Sequence, residues 1–420
     1  MQRKYRLILR LSALLLMVAS PGAHARGYAS TGKCGIYPRL AITSPSGTCV
    51  GLIADDAHGL RFPRRVLEIE PGRIWVLDMG NWMPQVGQLI ELRLPPDAAT
   101  PANANTTARA VEARVLLSKL NYPSGMARGP DGKIYIGEAD KIWRAAVPSL
   151  GQTPQPELLA SGLPADGAHL LKELAFAPDG SLYVNMGSAT DACRGEDQKQ
   201  AVPCPERSAA MPRAAVWRMV LQAGKQPVKE FKPFASGLRN SMALAVMPDG
   251  PAAGTVWQGE NNIDYRDPRQ PPEELNLLRA GADYGWPYCT GARQNAQGYE
   301  KRFDCSKTEA PHMLWPAHVA PLQMLATPVG SAFGGQLLVA WHGQRADGQR
   351  LVGFARDDKG RPSGKPIQWL SNWDARPGLR PGGCPTGMGI DHAGRLLVVE
   401  DFNRSLLILM SEAGRAPRPG

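Results

Sequence analysis

The sequence predicts an all-β protein, a six-bladed β-propeller, on three observations. The first is composition. The 420 residues include 45 Gly and 38 Pro, about one position in five, against about 12% in an average chain. Each interior Gly or Pro costs a helix roughly 1 or 3 kcal/mol, so bundles and coiled coils are poor readings. The excess stays below the roughly 25–30% typical of low-complexity disorder, and 43% of the residues are hydrophobic. Many short strands joined by tight turns satisfy both facts.

The second observation is a repeat. A turn ending in Gly, a spacer and two or three apolar or aromatic residues occur six times: Pro71-Gly72-Arg73-Ile74-Trp75-Val76, Asp131-Gly132-Lys133-Ile134-Tyr135-Ile136, Asp179-Gly180-Ser181-Leu182-Tyr183-Val184, Ala253-Gly254-Thr255-Val256-Trp257-Gln258, Gly334-Gly335-Gln336-Leu337-Leu338-Val339 and Ala393-Gly394-Arg395-Leu396-Leu397-Val398. The glycines lie 48 to 81 residues apart, about 64 on average. A Gly turn between apolar runs is a hairpin signal, and a unit of that length holds four short strands. The third observation is that six such units leave no remainder large enough for another domain. Arranged radially, they make a propeller that exposes only short, protected sheet edges.

The elements follow in chain order. Residues 1–25 read as a signal peptide: Arg3, Lys4, Arg6 and Arg10 precede an apolar run through Leu14, Leu15, Leu16, Met17 and Val18, and Ala23-His24-Ala25 supplies a small-x-small cleavage pattern. Residues 26–411 read as the propeller, with 95–109 as a surface loop, and 412–420 as a disordered tail. No second apolar run approaches the roughly 20 residues of a membrane span, so a mature chain without a span is expected in the periplasm or secreted. The formal charge is +10, of which the leader carries four basic residues and no acidic one. No block of five or six like charges occurs, which argues against a nucleic-acid partner.

Export permits disulfides. Seven cysteines stand at 34, 49, 193, 204, 289, 305 and 384. The pairs close in sequence are Cys34–Cys49, Cys193–Cys204 and Cys289–Cys305, although spacing leaves other connectivities open. Cys384 is the odd one and is expected to stay a buried thiol. No Cys-x-x-Cys is present, which argues against a structural zinc site or a thioredoxin-like motif.

Polar residues gather just after the repeat cores: Asp78, Glu138, Ser188, Glu260 with Asn261 and Asn262, His342, and Glu400 with Asp401. In a propeller these strand ends face one axis. They either share a pocket or each satisfy their own turn.

Three segments carry more than fold information: Ala168-His169-Leu170-Leu171-Lys172-Glu173 running on to Pro178-Asp179-Gly180 and Gly187-Ser188; Ser236-Gly237-Leu238-Arg239-Asn240; and Gly259-Glu260-Asn261-Asn262-Ile263-Asp264 through Glu273-Glu274-Leu275-Asn276 to Tyr284-Gly285-Trp286-Pro287. Together they resemble the soluble glucose/sorbosone dehydrogenases, six-bladed propellers that use pyrroloquinoline quinone (PQQ) with calcium. The likeness continues through Ala317-His318-Val319-Ala320-Pro321-Leu322, Ala340-Trp341-His342-Gly343 and Cys384-Pro385-Thr386-Gly387, and so covers about residues 120–410.

The resemblance implies that His169, ten residues before Asp179, is the base that takes a hydroxyl proton as hydride leaves carbon; an imidazole suits that role. It implies Arg239 and Asn240 at the cofactor, where a guanidinium offsets the charge a quinone oxygen gains on reduction. Lys172 and Arg345 are further candidates for the cofactor's carboxylates, by charge alone. It also implies calcium on the backbone carbonyls near Asn262 and Ile263, and it marks Glu273, Glu274, Asn276 and Tyr284 as a candidate structural calcium segment, oxygen donors being what calcium takes.

There are departures. Ser188 stands where the glucose dehydrogenases carry an Asp, closer to the sorbosone-type branch. Ser241 replaces a Pro, Cys384 an Arg, and a longer basic motif is cut to His342-Gly343-Gln344-Arg345. The first reading is therefore an exported quinoprotein dehydrogenase that oxidises an aldose, a sorbosone-like aldehyde or a polyol and passes electrons to an external acceptor. Two others stay open: a non-catalytic propeller that binds sugar or protein, and a lactonase-like hydrolase with a metal on Glu260, Asn261 and Asn262.

Overall fold

Each of the six repeat glycines joins the first and second strand of an antiparallel sheet, four-stranded in five cases and six-stranded in the last, in the computed structural model, which describes residues 28, 30–95, 110–195, 199–345, 347–373 and 382–417. All six have φ between 72° and 82°, the left-handed region that glycine enters without a Cβ clash. The innermost strands are Pro63–Glu70, Gly125–Arg128, Leu174–Phe176, Ala243–Val246, Pro321–Ala326 and Pro385–Ile390, and each contacts the next around a closed ring. The fold is a six-bladed β-propeller.

Five blades are built from consecutive sequence. The sixth is shared: Ser405–Ser411 near the end of the chain pairs with Thr48–Ala54 near its beginning, Leu406 opposite Ala54 and Met410 opposite Cys49. The hairpin Ser30–Cys34 and Tyr37–Leu40 extends this sheet outward. Residues 412–417 form a hydrogen-bonded turn, with Glu412 N donating to Gly47 O at 3.0 Å and Arg415 O accepting from Ser411 N at 2.8 Å. The leader 1–25, most of the loop 95–109 and residues 418–420 lie outside the described residues. No helix among the described residues is long and apolar enough to cross a membrane.

Apolar side chains alternate along the strands and pack between neighbouring blades, as where Trp75, Leu77 and Leu89 meet Ile134 and Ile136. The axis is filled differently. Arg65, 1% exposed, lies across it. Its guanidinium pairs with Glu173 of blade 3 and donates to Leu322 O of blade 5 at 2.8 Å and Thr386 O of blade 6 at 2.6 Å. One cation thus satisfies groups from several blades that would otherwise be buried unpaired.

Candidate functional site

In an antiparallel blade the start of the innermost strand lies beside the end of the second, so both open on one end of the ring. Two cavities of about 330 and 290 Å³ occupy that end, and their walls share His169, Asn240, His342 and Gln344. His169 and Ser188 come from blade 3, Arg239, Asn261, Asn262 and Glu273 from blade 4, and His318 and His342 from blade 5. Arg64, Phe62 and Trp82 of blade 1, with Asp401 and Phe402 of blade 6, line the second cavity. Asp78 and Glu138 stay with their own turns: Asp78 accepts from the backbone of Arg61, Phe62 and Gly80, and Glu138 from Asn121 N and Trp143 Nε1.

His169 is fixed through one ring nitrogen. Its Nδ1 lies 2.9 Å from both Ser188 O and Ser188 Oγ. A carbonyl only accepts, and the hydroxyl proton is spent on Thr190 O at 2.7 Å, so Nδ1 carries the hydrogen and Nε2 keeps its lone pair. Burial, then the charge of Arg239, pushes the imidazole down to about 3. It is a neutral base at any ordinary pH. Gly187 makes this approach possible, because a Cβ there would meet His169 O at 2.5 Å.

Arg239 is caged. Its guanidinium reaches Asp264 at 2.9 Å, Asp191 Oδ1 at 2.8 Å and Asn261 O at 2.9 Å. Asp191 is held in turn by a small core over the cavity, where Trp286 Nε1 donates to its carbonyl at 2.9 Å. That core joins Cys193, Cys204, Tyr288, Cys289 and Cys305 with Ile263. The disulfides Cys193–Cys204 and Cys289–Cys305 form as the spacing suggested, as does Cys34–Cys49, while Cys384 is buried outside all three.

The structure separates the other expected residues. Asn240 and Arg345 line the cavity, and Asn240 Oδ1 is buried without a hydrogen-bond partner. Lys172 does not reach it. Its Nζ donates to Pro164 O and Leu170 O at 2.9 and 2.6 Å, and burial lowers its pKa to about 7; it braces the loop that carries His169. Asn262 and Glu273 face the cavity, with Glu273 Oε2 accepting from Asn262 N at 2.6 Å. Glu274 and Asn276 sit behind them in a hydrogen-bonded network, where Glu274 accepts from Gly291 N, Asn262 Nδ2 and Asn276 Nδ2. Tyr284 lies apart, its hydroxyl bonded to Leu277 O and Arg279 N. The proposed calcium segment is therefore not one ligand shell. Nor do Glu260, Asn261 and Asn262 converge as a hydrolase metal set: Glu260 accepts from Asn240 N and Gln258 Nε2, and the two Asn amides donate to other partners.

Sequence reasoning missed Arg64, Phe62 and Trp82. The readable signal was Arg64-Arg65 inside an apolar strand, a pair of cations that a buried strand keeps only where carboxylates and carbonyls meet it. Arg64 Nη1 bonds Asp401 at 3.2 Å, and burial lowers its pKa to about 10.

Residues 155–346 match the model of the glucose/sorbosone dehydrogenase family. No curated protein matches the chain. Among solved structures, a calcium structure of the Trichoderma reesei carbohydrate-active enzyme family AA12 aligns at TM-score 0.69 and 20% identity, covering 89% of this chain and 98% of that one. The holo pyranose dehydrogenase PQQ domain from Coprinopsis cinerea aligns at 0.67 and 18%, with the same coverage. The PQQ-bound aldose sugar dehydrogenase from Streptomyces coelicolor aligns at 0.54 and 18%, covering 87% and 99%. At such identities the likeness carries the fold. The family match adds the stretch that holds His169, Arg239, Glu273 and His342.

Proposed function

We propose that this chain is an exported PQQ- and calcium-dependent dehydrogenase of sugars, sorbosone-like aldehydes or polyols that passes electrons to an external acceptor. The observation that carries the reading is one axial cavity holding both a neutral imidazole with Nε2 unprotonated and a caged arginine. The match to the glucose/sorbosone dehydrogenase model and the PQQ-containing neighbours support it.

The residues fit such a cofactor. Arg345 and Arg64 line the cavities as cations for carboxylates, Arg239 stands for the charge gained by a quinone oxygen, and the buried Oδ1 of Asn240 and the buried Nε of Arg64 lack partners. Calcium would take Glu273 and the carbonyls of Asn262 and Ile263, hard oxygen donors. When bound, the quinone supplies the two-electron acceptor for hydride, with calcium polarising its carbonyl.

The chain itself moves the proton and holds the charge. His169 Nε2 takes the substrate hydroxyl proton while Nδ1–H stays on Ser188, so the ring does not turn during transfer. Arg239 holds a fixed positive charge at the cavity wall without reorganising, because acceptors on Asp191, Asn261 and Asp264 already orient it.

The test is reconstitution with PQQ and calcium, following dye reduction over a panel of sugars. Stoichiometric uptake and sugar-dependent reduction are expected. Absence of uptake at saturating calcium would sink the reading.

A further inference from the structure

We propose that His342, Cys384 and Asp401 form a transition-metal site that takes zinc in preference to calcium. The Nε2 of His342 lies 3.1 Å from both carboxylate oxygens of Asp401. The Cys384 sulfur completes a set whose ligand atoms all stand within 4.8 Å of one another. Ligand atoms around a tetrahedral zinc stand about 3.5 Å apart, given Zn–S near 2.3 Å and Zn–N near 2.0 Å. From within 4.8 Å the donors need close by little more than an ångström to share one ion.

The site is built rather than incidental. Cys384 is 0% and Asp401 3% exposed, and each donor follows or precedes a strand that fixes it. His342 directly follows the second strand of blade 5, with its N donating to Ala320 O at 3.1 Å, and Asp401 N donates to Cys384 O at 3.3 Å. Outer partners orient two of the donors, as they do around known metals: Arg64 bonds Asp401 Oδ2 at 3.2 Å, and Gln349 Nε2 approaches the Cys384 sulfur at 3.6 Å. His342 and Asp401 line the second cavity, so a fourth position opens to solvent or ligand, the pattern of three protein ligands plus one exchangeable one.

Ligand chemistry selects the ion. Thiolate and imidazole favour zinc, whereas calcium takes oxygen donors. Binding would release the thiol proton to solvent, shift the His342 proton from Nε2 to Nδ1 and replace the His342–Asp401 hydrogen bond with two bonds to metal. This site is distinct from the calcium position at Glu273, and its occupancy does not depend on the quinone reading, because its test reads metal and not turnover.

The experiment uses full-length, tag-free protein, stripped with a chelator and dialysed against zinc with calcium in excess, then against cobalt. Expected are about one zinc retained per chain and, with cobalt, a thiolate-to-metal charge-transfer band. That band is diagnostic because the other six cysteines are in disulfides. Cys384→Ser should remove the band and weaken zinc by at least about tenfold, and His342→Gln should weaken zinc to a similar degree with the fold intact by circular dichroism. If wild type retains no zinc, or binds cobalt without the band, the proposal is wrong. Zinc affinity unchanged in Cys384→Ser would also overturn it. Should the variants misfold, the wild-type cobalt spectrum decides alone.

Discussion

The axial cavity has two walls made in different ways. On the side of blades 3 and 4, Asp191 and Ile263 are held by long insertions between strands, closed by two disulfides over a small aromatic core. On the side of blades 5, 6 and 1, His342, Asp401 and Arg64 come straight off strand ends, with Trp82 left 56% exposed at the rim. The stapled wall holds His169, the proposed base, and the caged arginine, where a shift of an ångström would matter. The strand-end wall offers aromatic surface and a softer donor set. Long loops can carry precise chemistry only when something other than the sheet fixes them. The matched family segment, residues 155–346, contains all of the stapled wall and little of the other.

The largest effect that would test this contrast is on turnover. His169→Ala should cut kcat by about 10²–10⁴ while cofactor uptake persists, whereas Phe402→Leu on the opposite wall should leave kcat within about tenfold. Equal losses from both would erase the distinction. Next in size is the tie between the walls. Arg65→Met leaves Glu173 buried without its cation and should cost about 3–5 kcal/mol, seen as a lower denaturant midpoint. The carboxyl of Glu173 is already pushed up to about 7 by burial with Arg65 beside it.

Third, replacing Cys193 and Cys204 together by Ala should cost about 2–4 kcal/mol and loosen Asp191, so that PQQ affinity falls as well. A thermal shift without any change in affinity would show that the staple does not serve the site. Fourth is pH. Because burial and Arg239 hold His169 near 3, the limb of kcat/KM due to its protonation should lie well below the ordinary histidine value of about 6.5. Ser188→Asp should move that limb upward, since a carboxylate beside Nδ1 favours the charged ring. The same depression has a stability sign: between about 6.5 and 3 the unfolded chain binds a proton that the folded one refuses, so this group's contribution falls as pH falls through that window. The smallest effect is at the rim, where Trp82→Ala should raise KM for sugars by roughly 3–10-fold with kcat unchanged.

Much of this was readable from the chain. The six Gly turns specify the blades because each needs a left-handed residue at one fixed place, and His169, Arg239, Asn240 and Arg345 reach the cavity because local motifs fix their position at strand ends. Lys172 was misread because charge says nothing of direction: three residues beyond His169 the chain has entered the inner layer, and its ammonium finds carbonyls there instead of the cavity. Tyr284 was misread because a shared segment does not imply a shared face. The closing strand Thr48–Ala54 and the axial Arg65 were invisible for another reason. Both depend on partners hundreds of residues away, and no local pattern records such a pairing.

That closing pair sets an order of events. Five blades can hydrogen-bond from consecutive sequence, but Thr48–Ala54 waits for Ser405–Ser411, about 350 residues later. Its other edge is covered early by the hairpin tied through Cys34–Cys49, which leaves a single apolar edge unpaired until the end, the kind of edge that recruits foreign strands. Asp401 joins the wall of the second cavity in that same blade. A chain truncated before residue 405 therefore lacks the closing strand and leaves that edge exposed.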